Sequence, residues 1–260
     1  MVSKEHRLSA SIDWFATPTP ERAGLLNLSY NALDRHIIRG LADESALLHP
    51  RASAGARSRF TYADLLEHVG QLAGGLRELG VRPGRAVVVA LPLIPELVVA
   101  LLACARLGAV AVPVTTDPLD VRASAVTGSG ELAVALVVGG HKAALAAALD
   151  TIEASPQFTV VLRPEDGALD TRGDVDYAAM MRPGQFEAGV CAELAPDTPF
   201  LVLPVGLVHD HGWTLELVDD ARARGLGPGS YVSPGDWGPD DAPYAALLAP
   251  LLVGATVELR

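Results

Sequence analysis

Apolar residues at Leu65, Leu66, Val69, Leu72, Ala73, Leu76 and Leu79 recur every three or four positions. That is the spacing of one face of a helix. Thr61-Tyr62-Ala63-Asp64 opens the run as a capping box, a Thr N-cap with an acid three residues on. Gly80 supplies the stop. Arg82-Pro83-Gly84-Arg85 follows, with Pro and Gly placed as a type II turn prefers. Ala86–Leu91 holds no polar side chain and predicts a strand buried on both faces. Pro95 fits the first turn of a helix, and Glu96 suits its positive end. That helix runs to Leu107 and stops at Gly108, and Ala109–Val114 predicts the next strand.

The alternation continues. Helices are predicted near Leu119–Val126, His141–Ala154, Val175–Met181, Leu215–Arg224 and Tyr244–Leu252. Strands are predicted near Ala133–Val138, Phe158–Leu162, Phe200–Leu203, Tyr231–Ser233 and Thr256–Leu259. Strands and helices alternating at this spacing predict an α/β fold with a largely parallel sheet. Arg51–Ser58 and Arg163–Asp174 read as polar loops, and no internal repeat stands out. The expected organisation is one domain over 1–260, with an irregular arm over 1–30 and an α/β core over 31–260.

Composition narrows the function classes. Half of the 260 residues are hydrophobic and a fifth are charged, as a folded chain requires. The formal charge of −11 argues against binding nucleic-acid backbones. Cys104 and Cys191 are the only cysteines, too few for a disulfide framework or a zinc cage. The polar start Met1–Arg7 lacks the apolar region of a signal peptide. The apolar stretch from Ala86 to Val114 is interrupted by Pro92, Pro95, Glu96 and Arg106, so it predicts a soluble strand–helix–strand and no membrane span. A cytoplasmic protein is the expectation.

Several segments then resemble one family. Leu26-Asn27-Leu28-Ser29-Tyr30-Asn31-Ala32-Leu33-Asp34-Arg35-His36 is similar to the entry segment of acetyl-CoA and propionyl-CoA synthetases, as is Phe60-Thr61-Tyr62-Ala63-Asp64-Leu65. The run Leu91-Pro92-Leu93-Ile94-Pro95-Glu96-Leu97-Val98-Val99-Ala100-Leu101-Leu102-Ala103-Cys104-Ala105-Arg106-Leu107-Gly108-Ala109-Val110 resembles the same branch of the adenylate-forming, AMP-binding superfamily most strongly. Leu194-Ala195-Pro196-Asp197-Thr198-Pro199-Phe200 resembles the lead-in to that family's ATP loop. Leu251-Leu252-Val253-Gly254-Ala255-Thr256-Val257 resembles the helix–Gly–strand that closes the first half of its large domain. The likeness covers about residues 11–260 and only the N-terminal half of an ordinary member. It implies the N-terminal subdomain of an adenylate-forming enzyme, and a family chemistry using ATP, Mg²⁺ and CoA. A carboxylate attacks the α-phosphate of ATP, and CoA then displaces AMP from the acyl-adenylate.

The departures from that pattern are specific. After Phe200-Leu201-Val202-Leu203 the family has a Thr/Ser/Gly-rich loop ending in Pro-Lys-Gly. This chain has Pro204-Val205 and then Gly206-Leu207-Val208-His209, which matches the residues after the loop. No lysine follows Lys142. The second half of the large domain and the C-terminal lysine domain have no counterpart before Arg260. The family's Arg-Gly-Gly-Lys-type CoA segment is replaced by Gly139-Gly140-His141-Lys142. A similar pattern marks a group of short, mostly actinobacterial AMP-ligase-like proteins, with the likeness strongest over Asp174–Arg260.

Other candidate motifs weigh little. Thr127-Gly128-Ser129-Gly130-Glu131 lacks a following lysine and reads as a Gly/Ser turn. His209-Asp210-His211 offers two imidazoles two positions apart, but no third and fourth metal ligand at a recognisable spacing. His209 is better explained as a remnant of the family pattern. Asp236-Trp237-Gly238 resembles, in scrambled order, the Asp-x-Gly-Trp loop that lines the acyl and pantetheine side of the family's cleft. A packing tryptophan is the slightly favoured alternative, and Trp213 reads as packing at a helix start. Cys104, mid-helix among apolar residues, reads as an inert core thiol. Asp219-Asp220 and Asp240-Asp241 are adjacent pairs and read as solvated surface.

The expectation is therefore a pseudoenzyme related to acetyl-CoA synthetase that acts as a binding or regulatory module. It has no catalytic residues, no metal and no cofactor of its own. Gly206, His209, Asp236 and Trp237 are the vestigial cofactor-binding positions. Its expected partners are a second copy or an acyl-CoA synthetase, and its expected ligand is CoA-like or acyl. The alternative is one half of a split acyl-CoA synthetase completed by another chain.

Overall fold

A computed structural model describes residues 12–50, 57–116, 119–120, 131–163, 169–170, 172–203, 205–237 and 244–260. The chain packs as two compact units. One comprises Met1–Glu67, Glu193–Asp197 and His211–Arg260, and the other His68–Ala192 and Thr198–Asp210.

The second unit is built on a parallel sheet. Its strands are β3 (Ala86–Ala90), β4 (Val110–Pro113), β7 (Leu132–Val138), β8 (Phe158–Leu162), β9 (Asp174–Asp176), β10 (Pro199–Val202) and β11 (Val208–Asp210). They lie in the order β11-β10-β4-β3-β7-β8-β9. Only the edge strand β11 is antiparallel to its neighbour. Every residue of β3 and β4 is buried, as expected of strands covered on both faces. The helix Pro95–Leu107 connects these two strands and buries every residue except Glu96. Pro95 opens it, and Gly108, at φ +71°, closes it in the left-handed conformation that glycine adopts without steric cost. The Gly108 carbonyl accepts the Gly84 amide at 2.8 Å, joining the stop to the preceding type II turn.

The helix Tyr62–Glu78 starts at the expected box. The Asp64 amide donates to Thr61 Oγ1 at 3.0 Å, and the Thr61 amide donates back to Asp64 Oδ2 at 2.9 Å. In the second unit, its glycines admit a crossing backbone. The Gly189 amide donates to the Gly70 carbonyl at 2.9 Å. A Cβ on Gly74 would sit 2.2 Å from the Glu187 carbonyl oxygen. Arg106, also buried, holds that crossing segment by donating Nε–H to the Gly189 carbonyl at 2.5 Å.

The first unit carries a four-stranded sheet of β1 (Ser45–Leu48), β2 (Arg59–Thr61), β12 (Tyr231–Val232) and β13 (Thr256–Glu258), in the order β12-β13-β1-β2. The helix Ala245–Leu252 is buried along its whole length. Buried Tyr62 donates its hydroxyl to the Ala255 carbonyl at 2.8 Å, anchoring the turn after that helix. Two short helices, Leu28–Ala32 and Asp34–Ile38, enter this unit. Asn27 caps the first by accepting the Ser29 amide at 2.9 Å. Asn31 accepts the Asp13 amide at 2.7 Å and an Arg35 Nη1–H at 3.0 Å.

The α/β class with mostly parallel strands holds, and most element boundaries fall within two residues of expectation. Three readings need correction. Val175 lies in β9, and the helix there is only Tyr177–Met180. Asp176 starts it by accepting the Ala178 amide at 2.9 Å, while the backbone before it pairs with β8. Leu119–Asp120 (β6) pairs with Thr115–Thr116 (β5) as strand, and the rest of the helix expected over 119–126 lies outside the described residues. The short strands β1, β2 and β11 were not expected at all. The Gly/Ser turn expected over 127–131 falls almost wholly outside the described residues.

Candidate functional site

The segment after β10, where the sequence resemblance leads one to expect a phosphate loop, is a tight hairpin. The Leu203 amide donates to the Leu207 carbonyl at 2.8 Å, and the Gly206 amide donates to the Leu203 carbonyl at 2.8 Å. Gly206 takes φ +83°, the left-handed residue that ends a three-residue hairpin loop. A phosphate cradle works by pointing free backbone N–H groups at the anion. The Leu203 and Gly206 amides are committed to the turn instead. The rim is apolar: Val205, Leu207 and Val208 are 75%, 50% and 51% exposed. His209 follows on β11, opposite Leu201. Gly206 and His209 thus share one hairpin of the second unit.

Asp236 and Trp237 lie in the first unit, so the four residues singled out from sequence fall on different units. Pro234–Asp236 forms one 3-10 turn, with Asp236 exposed. Trp237 is buried, with the Arg224 guanidinium stacked 4.4 Å from its ring centroid. Arg224 Nη1–H also donates to the Trp237 carbonyl at 3.0 Å, and its Nε lies 3.2 Å from Asp220 Oδ1. This is a cation–π clamp that fixes a loop against the helix Trp213–Ala223. The ring packs beneath that guanidinium, and Trp213 is likewise buried at the start of its helix.

His209, Asp210 and His211 do not act as one cluster. His211 is fully buried, and its Nδ1 accepts the Leu28 amide at 3.3 Å. That bond assigns the proton to Nε2. Burial pushes the imidazole down to about 4, so it is neutral at physiological pH. Among the described residues, no three His, Cys, Asp or Glu side chains are grouped to hold a metal ion. Cys104 is fully buried, and burial pushes its thiol up to about 12, which leaves it unreactive.

Lys142 opens the helix Lys142–Thr151 and borders a cavity of about 270 Å³ with Leu145, Thr159, Asp170 and Asp174. Its ammonium is ion-paired with Asp174. Asp174 also accepts the Asp170 amide at 2.6 Å. The charge that could meet a ligand phosphate is thus neutralised by a carboxylate. In sequence Lys142 stands out only as part of the segment that replaces the family's CoA motif, and Asp174 not at all, because the pair joins a helix start to an edge strand 32 positions away. No helix among the described residues is long and apolar enough to cross a membrane.

Comparisons with known proteins agree with this architecture. The family model for AMP-binding enzyme matches residues 38–203. Acyl-CoA synthetase short-chain family member 3, mitochondrial, of Bos taurus is 42% identical over 106 residues, which is 41% of this chain and 15% of the relative. The chloroplastic/glyoxysomal acetyl-coenzyme A synthetase of Arabidopsis thaliana is 43% identical over 100 residues, 38% of this chain and 13% of the relative. Among solved structures, acetoacetyl-CoA synthetase from Streptomyces lividans superposes with a TM-score of 0.71 at 26% identity, covering 91% of this chain and 38% of that one. A Brucella canis acyl-CoA synthetase, at 20% identity, shares the fold with a TM-score of 0.74, covering 97% of this chain and 45% of that one. The matched regions thus span less than half the length of each of these proteins. With the family model covering most of its length, the chain belongs to the AMP-binding enzyme family.

Proposed function

We propose that this chain is an acyl-CoA-synthetase-like binding module that does not itself adenylate a carboxylate. The observation that carries this reading is the hairpin at Leu203–Leu207, whose Leu203 and Gly206 amides donate to carbonyls of the same turn where a family member presents a phosphate loop. Transfer of an adenylyl group is mostly an electrostatic task, answered by amides, cations and Mg²⁺ placed around the phosphates. Lys4 and Lys142 are the only lysines, and Lys142 is paired with Asp174. A longer chain with the same hairpin would carry the same deficit.

The remaining roles are binding ones. Val205, Leu207 and Val208 give the edge hairpin an apolar rim, which favours cover by a protein such as an acyl-CoA synthetase or a second copy. That rim is also what supports the split-synthetase alternative. A completing chain would still lack a loop at this hairpin. A CoA-like or acyl compound is the small ligand the family relationship favours.

Titration calorimetry with ATP·Mg²⁺, AMP, CoA and acetyl-CoA tests the reading. ATP·Mg²⁺ and AMP are expected to show no binding tighter than about 1 mM. Micromolar affinity for either nucleotide would overturn the assignment of the hairpin.

A further inference from the structure

A cavity of about 390 Å³ is lined wholly by residues of the first unit. The hairpin after β10 and the Lys142 cavity draw on the second unit, so neither accounts for it. Arg35, His36, Arg39 and Arg222 supply its polar groups, and Leu226, Pro228 and Val253 its apolar wall. The short helix Asp34–Ile38 carries Arg35 and His36, and Arg39 follows its end. Arg222 comes from the last turn of Trp213–Ala223.

Two of these polar groups are committed within the protein. Arg35 Nη1–H donates to Asn31 Oδ1 at 3.0 Å, and Arg39 pairs with Asp13 at 2.6 Å. The other two are not. The exposed Arg222 guanidinium makes no ion pair or hydrogen bond with a described residue. His36 is buried, yet its Nε2 has no hydrogen-bond partner among the described residues.

Each missing partner has a definite chemistry. Arg222 is a single fixed cation and calls for a single negative charge. Its fork of N–H donors matches the two oxygens of a carboxylate. The His36 ring is held at about 4 by burial and then by Arg35, so it is neutral at physiological pH and carries one proton. The Leu251 and Leu252 carbonyls accept from this ring. With Nε2 unbonded, that proton sits on Nδ1, and Nε2 keeps a lone pair that calls for a donor. An ammonium donor is disfavoured, because Arg35 and Arg39 already oppose positive charge at the ring. A hydroxyl supplies the proton without the charge.

We propose that this cavity binds a small hydroxycarboxylic acid, its carboxylate on Arg222, its hydroxyl donating to His36 Nε2 and its carbon body against Leu226, Pro228 and Val253. The volume lies within the range of small-molecule sites.

Calorimetry on the whole chain with two pairs of acids tests it. Mandelate and β-hydroxyhydrocinnamate carry the hydroxyl at different distances from the carboxylate. Phenylacetate and hydrocinnamate are the same acids without it. At least one hydroxy acid is expected to bind about tenfold more tightly than its counterpart, because only the hydroxyl satisfies the buried nitrogen. Arg222→Ala is expected to weaken that hydroxy acid about tenfold with an unchanged thermal midpoint. Arg182→Ala, an exposed arginine of the other unit, is expected to leave binding unchanged and controls for net charge. No binding of either hydroxy acid up to about 10 mM, equal affinity within both pairs, no loss in Arg222→Ala, or an equal loss in Arg182→Ala would each overturn the proposal.

Discussion

Gly74→Ala is expected to lower the unfolding free energy by about 2 kcal/mol, while Gly70→Ala, one turn earlier on the same helix, raises it by about 0.5 kcal/mol. In helix Tyr62–Glu78 both changes gain the same propensity, up to about 1 kcal/mol for removing a helical glycine. They differ in what the new methyl meets. At Gly74 it would sit 2.2 Å from the Glu187 carbonyl oxygen and 3.2 Å from the Glu187 carbonyl carbon. Both are backbone atoms and cannot rotate away, so the crossing segment must lift. At Gly70 the nearest atom is Ala188 Cβ at 3.4 Å, an ordinary contact. Lifting the segment also strains the Gly189-to-Gly70 hydrogen bond and the Arg106 bond to Gly189, so the cost at Gly74 exceeds the gain. Urea denaturation of the two variants reads the difference directly. Equal effects from both would show that the segment does not cross the helix this closely.

The second large effect is acid sensitivity well above the carboxylate range. Burial, with Arg35 as the next cause for His36, lowers both His36 and His211 to about 4. An unfolded histidine titrates near 6.5. Above pH 6.5 both states are neutral at these positions and neither histidine affects stability. As pH falls from 6.5 towards 4, the unfolded chain binds protons that the folded chain refuses, so stability is lost through that window and levels off below it. The gap corresponds to about 3 kcal/mol for each histidine. Denaturation midpoints at pH 7, 6 and 5 should fall steeply. His211→Asn, which keeps an acceptor for the Leu28 amide, should flatten the slope by about half. A midpoint constant from pH 7 to 5 would contradict the neutral, buried assignment of both rings.

Much of this fold was legible because the signals are local. The Thr61–Asp64 box, the turn at Arg82–Arg85 and the Pro95 start with its Gly108 stop each depend on backbone preferences of a few adjacent residues. The strand Phe158–Leu162 was read to the residue because it is an unbroken buried run. The missed strands are short edge or near-edge segments. Val208–Asp210 has three residues and includes His209 and Asp210, so only its pairing with β10 makes it a strand. Val175 went the wrong way for the same reason: its pairing with Val160 outweighs local preference.

The candidate site divides along the same line. The departure from the family's loop pattern is a contiguous feature of the sequence after Leu203. What the hairpin does with its amides is not, since it depends on the turn that Gly206 closes. Trp237 resembles a site residue in sequence, and its contact with Arg224, 13 positions earlier, is a tertiary feature that no local pattern announces.

Carboxylate-dependent exchange of pyrophosphate into ATP tests the central claim most directly, because it reports acyl-adenylate formation without requiring CoA. With acetate, propionate or acetoacetate and Mg²⁺, the account predicts no exchange above a protein-free blank. Exchange that requires the carboxylate and scales with the amount of this chain would contradict it.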